Sequence, residues 1–100
     1  MTLARVVAFE GVTKDRIEQL RSEMSSAEGP PEEIPASELL ILHDPQEERS
    51  LAILFFENES DYARGDAALD AMPSEGTPGR RTSIAKYEVA IRMAPQGSAA

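Results

Sequence analysis

Residues 37–57, SELLILHDPQEERSLAILFFE, decide the fold. Two apolar runs, 37–44 and 50–57, flank DPQEERS, which reads as a turn with Asp44 first and Pro45 second, as a type I turn favours. The pair is therefore a β-hairpin. Neither strand alternates apolar with polar. Leu51, Ile53 and Phe55 share one face while Ala52, Leu54 and Phe56 share the other, and Leu39 and Ile41 oppose Leu40 and Leu42. Strands that are apolar on both faces have to be covered on both.

Working outward, LARVVAFE at 3–10 is rich in Val and Phe and closes at Gly11, which reads as a strand. VTKDRIEQLRSEMSS follows, with Thr13 as N-cap, Asp15 in the first turn, and Val12 and Ile17 spaced as a hydrophobic staple. Ile17, Leu20 and Met24 then fall on one side of a helix. Residues 27–36 hold three prolines and three glutamates and read as a loop, as do the Gly/Pro-rich residues 73–80. Between hairpin and second loop, ESDYARGDAALDAMP (59–73) has helical spacing, with Tyr62, Gly65, Ala68, Leu69 and Met72 on one stripe. RRTSIAKYEVAIRM (80–93) is a last strand, and 95–100 form a disordered tail. The order β-α-β-β-α-β over residues 1–94 predicts a single α+β domain of ferredoxin-like arrangement, a four-stranded antiparallel sheet with both helices on one face.

Two helices cover only one face of that sheet. Leaving about five large side chains of the other in water would forfeit on the order of 10 kcal/mol, comparable to the stability of a small domain. A second copy packed sheet to sheet is the simplest remedy, so a homodimer is expected. In the last strand Ala85, Tyr87, Val89, Ile91 and Met93 oppose Lys86, Glu88 and Arg92. The polar set is expected to point between the sheets with Arg5. Buried charges must pair, so these four residues are candidates for a polar network inside the dimer.

Gly65 lies mid-stripe, facing the sheet, although Gly in a helix interior costs about 1 kcal/mol against Ala. Either the helix packs unusually close to a strand bearing a bulky Phe, or a hollow lies between helix and sheet. The second reading makes Tyr62, Gly65, Phe56, Tyr87 and Arg81 candidate lining for a ligand pocket.

Composition narrows the function. The 100 residues carry 18 acidic and 10 basic groups, a net charge of −8, which argues against nucleic acid or an anionic membrane as partner. With no cysteine, disulfides, thiolate metal sites and cysteine nucleophiles are excluded. No apolar run approaches the ~20 residues that span a bilayer, and the first residues lack the regions of a signal peptide. A soluble, cytoplasmic protein is expected. No P-loop, dinucleotide fingerprint or G-x-S-x-G occurs. Glu32–Glu33 and Glu47–Glu48 read as solvated loop charge. No metal site and no cofactor are expected.

The hairpin LLILHDPQEERSLAILFFEN, the helix ESDYARGDAALDAMP and the closing GRRTSIAKYEVAIRM resemble the antibiotic biosynthesis monooxygenase-like family of the dimeric α+β barrel superfamily, over about residues 3–93. The resemblance implies two ferredoxin-like subunits joined through their sheets. That family includes oxygenases that use neither metal nor flavin on polycyclic aromatic substrates, haem-degrading enzymes, and many small proteins without known activity. Members with chemistry commonly use a Trp, Asn or His in the hollow between helices and sheet. Here there is no Trp; the single Asn58 reads as a helix cap and the single His43 as a solvent-exposed residue beside the turn. The expectation is a dimeric protein that binds a small apolar or aromatic molecule or only assembles. The alternative is a cofactor-independent monooxygenase for an aromatic or polyketide-type substrate, with Tyr62, Tyr87 and Arg81 positioning it.

Overall fold

A computed structural model describes residues 2–25, 34–71 and 79–93. Residues 27–33 and 73–78 of the expected loops, the expected tail, Met72 and Glu32–Glu33 lie outside these. The elements are β1 (Leu3–Glu10), α1 (Lys14–Met24), β2 (Glu38–Asp44), β3 (Arg49–Phe56), α2 (Glu59–Asp70) and β4 (Arg80–Glu88). They form one antiparallel sheet in the order β2-β3-β1-β4 with both helices on one face, the ferredoxin-like arrangement expected.

Local chemistry places each boundary. Thr13 Oγ1 accepts from the Arg16 N–H at 3.1 Å, and Val12 and Ile17 pack together across it as a staple. Asn58 Oδ1 accepts from the Asp61 N–H at 2.8 Å and starts α2. Between β2 and β3, Asp44 Oδ1 accepts from the N–H groups of Gln46 and Glu47. Glu48 then takes a left-handed conformation with φ 52°, and its carbonyl accepts from the Val12 N–H at 2.7 Å. That last bond ties the start of α1 to the hairpin turn.

β4 is shorter than the 80–93 expected. β1 begins at Leu3, opposite Glu88, so β4 runs out of partner there; the Val89 N–H still reaches the Thr2 carbonyl at 2.9 Å. A bulge at Thr82, where the register slips between Ala8 and Phe9, puts Arg81 back on the face of Ile84 and Lys86.

The helix-side core has two parts. Leu3, Ile34, Leu54, Phe56 and Tyr62 form one, with Leu39, Ala68 and Leu69 against it. Val7, Phe9 and Val12 form the other, with Ile17 and Ala52. The opposite face carries Leu40, Leu42, Leu51, Ile53 and Phe55 on β2 and β3, and Ala4, Val6, Ala8, Ala85 and Tyr87 on β1 and β4. Leu42 is 50 % and Tyr87 58 % exposed. The apolar second face read from the hairpin is present.

Gly65 is explained by close packing. A Cβ built there would lie 2.6 Å from Phe56 Cζ and nearer still to Cε1. Phe56 is fully buried and meets the Tyr62 ring edge-on, 5.4 Å between centroids. The helix lies against the aromatic ring, and the room for a side chain is taken.

Candidate functional site

α1 stands beside β2 with an open groove of about 750 Å³ between them. Ile17, Leu20 and Met24 form its helical wall and Leu39 and Ile41 its sheet wall. His43 follows on the same face of β2, because alternate strand residues share a side. Lys14, Glu18 and Arg21 stand along α1 at the rim, where Arg21 Nη1 pairs with Glu18 Oε1 at 3.0 Å.

His43 is half-buried, not solvent-exposed as its place beside the turn suggested. Its Nε2 lies 3.0 Å from the Val12 carbonyl oxygen. A carbonyl only accepts, so Nε2 carries the proton. In the neutral ring the lone pair is then on Nδ1, which can accept from a ligand hydroxyl. The groove thus joins an apolar trough to one polar ring held by the backbone.

The other expected site residues are distributed differently. Tyr62, Gly65 and Phe56 come together, but as packed core rather than pocket lining. Burial, and then the Asp66 carboxylate, push the Tyr62 phenol above its usual pKa. Tyr87 pairs in register with Ala4 and lies on the face away from both helices, so the sheet separates the two tyrosines. Arg81 is on the helix side, with Nη1 3.4 Å from Asp70 Oδ1.

The polar network expected between the sheets is corrected as well. Arg5, almost wholly buried, faces α2, with Nε 2.8 Å from Asp66 Oδ1 and Nη2 3.4 Å from Asp70 Oδ1. Lys86 is opposite Arg5 on the same face; its Nζ meets Glu59 Oε2 at 2.6 Å and lies 4.8 Å from the Tyr62 ring centroid. The Glu59 hydrogen bond raises the Lys86 pKa. Glu88 is exposed, opposite Leu3, and so also on the helix side. Only Arg92 serves the open face, over the Phe55 ring and paired with Glu38. The physical reason is the acidic flank of α2. Glu59, Asp66 and Asp70 overhang β1 and β4, and the basic side chains turn toward them.

Alternation could have revealed the groove, since His43 shares the face of Leu39 and Ile41. The gap between α1 and β2 has no such signal. Among the described residues no cluster of three metal-ligating side chains occurs, and no helix is long and apolar enough to cross a membrane.

Fold and site together define a class: a ferredoxin-like α+β chain with an uncovered apolar sheet face and a groove between its first helix and edge strand. Comparison with protein-family models, curated proteins and solved structures finds no match for the chain.

Proposed function

We propose that this chain acts as a homodimeric α+β barrel protein, of the antibiotic biosynthesis monooxygenase-like kind, that binds a small apolar or aromatic molecule in the α1–β2 groove. The observation that carries the reading is the groove itself. Its volume of about 750 Å³ falls in the roughly 300–1,000 Å³ range of small-molecule sites, and it combines apolar walls with one polar ring as such sites do. The monooxygenase alternative asks Tyr62, Tyr87 and Arg81 to converge on one substrate. With Tyr87 across the sheet from Tyr62 they do not, so binding is the better-supported reading.

The dimer rests on the open face. Apart from Tyr87 on β4, its large side chains, Leu40, Leu42, Leu51, Ile53 and Phe55, lie on β2 and β3, whereas β1 and β4 contribute the smaller Ala4, Val6, Ala8, Ser83 and Ala85. A two-fold axis parallel to the strands lays the large half of one copy over the small half of the other. Such an interface is isologous and closes on itself. Tyr87, an amphipathic ring among small residues, suits an interface.

Native mass spectrometry tests the assembly. Twice the 10.9 kDa chain mass is expected, while a monomer at micromolar concentration would sink the dimer. Titration with naphthalene-sized aromatic compounds, followed by amide chemical shifts, tests the site. Perturbations should cluster at Ile17, Leu20, Met24, Ile41 and His43. Shifts confined to the open face would overturn the groove as the binding site.

A further inference from the structure

We infer that the groove is built for an amphipathic monoanion: an apolar or aromatic body with one ionised oxygen group, the head seated at the Lys14–His43 end. The inference rests on the groove reading above and adds the ligand's charge and orientation.

The two ends of the groove differ in chemistry. His43 bonds to the Val12 carbonyl, two residues before Lys14, so both side chains mark the end where α1 begins. Met24, Leu39 and the uncharged Ser25, whose hydroxyl donates to the Ser22 carbonyl, mark the other end. Ten residues of helix separate Lys14 from Met24, about 15 Å; four strand residues separate Leu39 from His43, about 13 Å. A trough of that length fits two or three fused rings, or a short acyl chain, lying along it.

Charge gives the direction. The chain as a whole carries −8, yet the groove's charged lining is Lys14, Glu18 and Arg21. Glu18 and Arg21 satisfy each other at 3.0 Å. Lys14 makes no ion pair among the described residues. Its ammonium is therefore the charge of the groove lining left without an ion-pair partner among the described residues. An anionic head near Lys14 gains a charge-assisted hydrogen bond.

Two dyes with the same rings test this on the full chain: 8-anilino-1-naphthalenesulfonate, and N-phenyl-1-naphthylamine, which lacks the sulfonate. Fluorescence titration should find the anion bound about tenfold more tightly, the scale of one charge-assisted hydrogen bond. Lys14→Met should abolish that preference, bringing the two dyes to within about twofold of each other. Lys86→Met, which removes the same charge from the β4–α2 side, should preserve it. Equal affinities for the two dyes, or a preference that survives Lys14→Met, would overturn the anionic head while leaving the groove as the site. Binding of both dyes unaltered by Met24→Trp and by Ile41→Trp, which fill the groove from either wall, would overturn the site and this inference with it.

Discussion

Replacing Gly65 by Ala sets two effects of opposite sign against each other. Helix propensity alone favours Ala by about 1 kcal/mol, so a solvent-facing Gly in α2 would be improved by the change. Here the new methyl would sit 2.6 Å from Phe56 Cζ, against the 3.4 Å at which ordinary contact begins, so the two must separate by at least 3.4 − 2.6 = 0.8 Å. Phe56 has little freedom to retreat: it is fully buried, edge-on to Tyr62 and opposite Leu3 in the sheet. Overpacking of a tight core typically costs about 1–3 kcal/mol, and a misfit of this size belongs in the upper part of that range. After the propensity gain, a net loss of about 1–2 kcal/mol remains. For a domain of this size that lowers Tm by roughly 5–15 °C. Thermal and urea unfolding followed by circular dichroism read it directly. Phe56→Leu removes the ring atoms concerned, so in a double-mutant cycle Gly65→Ala should be at least about 1 kcal/mol less harmful in that background. A single variant that is more stable than the parent would refute the close-packing account, because propensity would then be the only effect operating.

The α2 clamp predicts an asymmetry. Asp66→Ala leaves the buried Arg5 guanidinium, among the described residues, with only its longer contact to Asp70 and should lose about 1–2 kcal/mol, whereas Arg5→Met, which removes the charge and keeps the stem, should cost less than that. Equal losses in urea unfolding would argue against it. At the hairpin, the Glu47 N–H, with help from Arg49, holds the Asp44 carboxyl below its ordinary 3.8. A folded-state pKa below the unfolded value adds stability above the unfolded pKa, and that stability is lost as pH falls through the folded one. Asp44→Asn should therefore flatten the fall in urea midpoint below about pH 4, and an unchanged acid limb would count against the turn. The chain has two tyrosines, so in Tyr87→Phe the phenolate absorbance reports Tyr62 alone. Its midpoint should lie above 10.0, since burial and Asp66 disfavour the phenolate; a midpoint at or below 10 would mean that the ring is hydrated. The sign is opposite to that of Asp44: a raised folded pKa contributes stability below the unfolded pKa that is lost as pH rises through the folded one.

The element order, the hairpin, both N-caps and the Val12–Ile17 staple were legible from residue patterns because each is a local matter. A cap needs one side chain three residues from an N–H, and a strand declares its two faces by period. The same patterning showed that both faces of the hairpin are apolar, and that Gly65 faces the sheet. It could not say which half of an alternating strand turns inward. In β4 the set containing Lys86 and the set containing Tyr87 are equally well formed, and the choice was made by α2, whose Asp66 draws Arg5 and whose Glu59 draws Lys86. That decision needs partners 61 and 27 residues away, beyond any local window. The candidate site belongs to the same category. His43 was visible as a residue but read as exposed, because only tertiary packing brings Val12 beneath it and stands α1 away from Leu39 and Ile41. Local preference determined what each segment is. Distant charge and the space between elements decided which side chains meet and where a cavity remains.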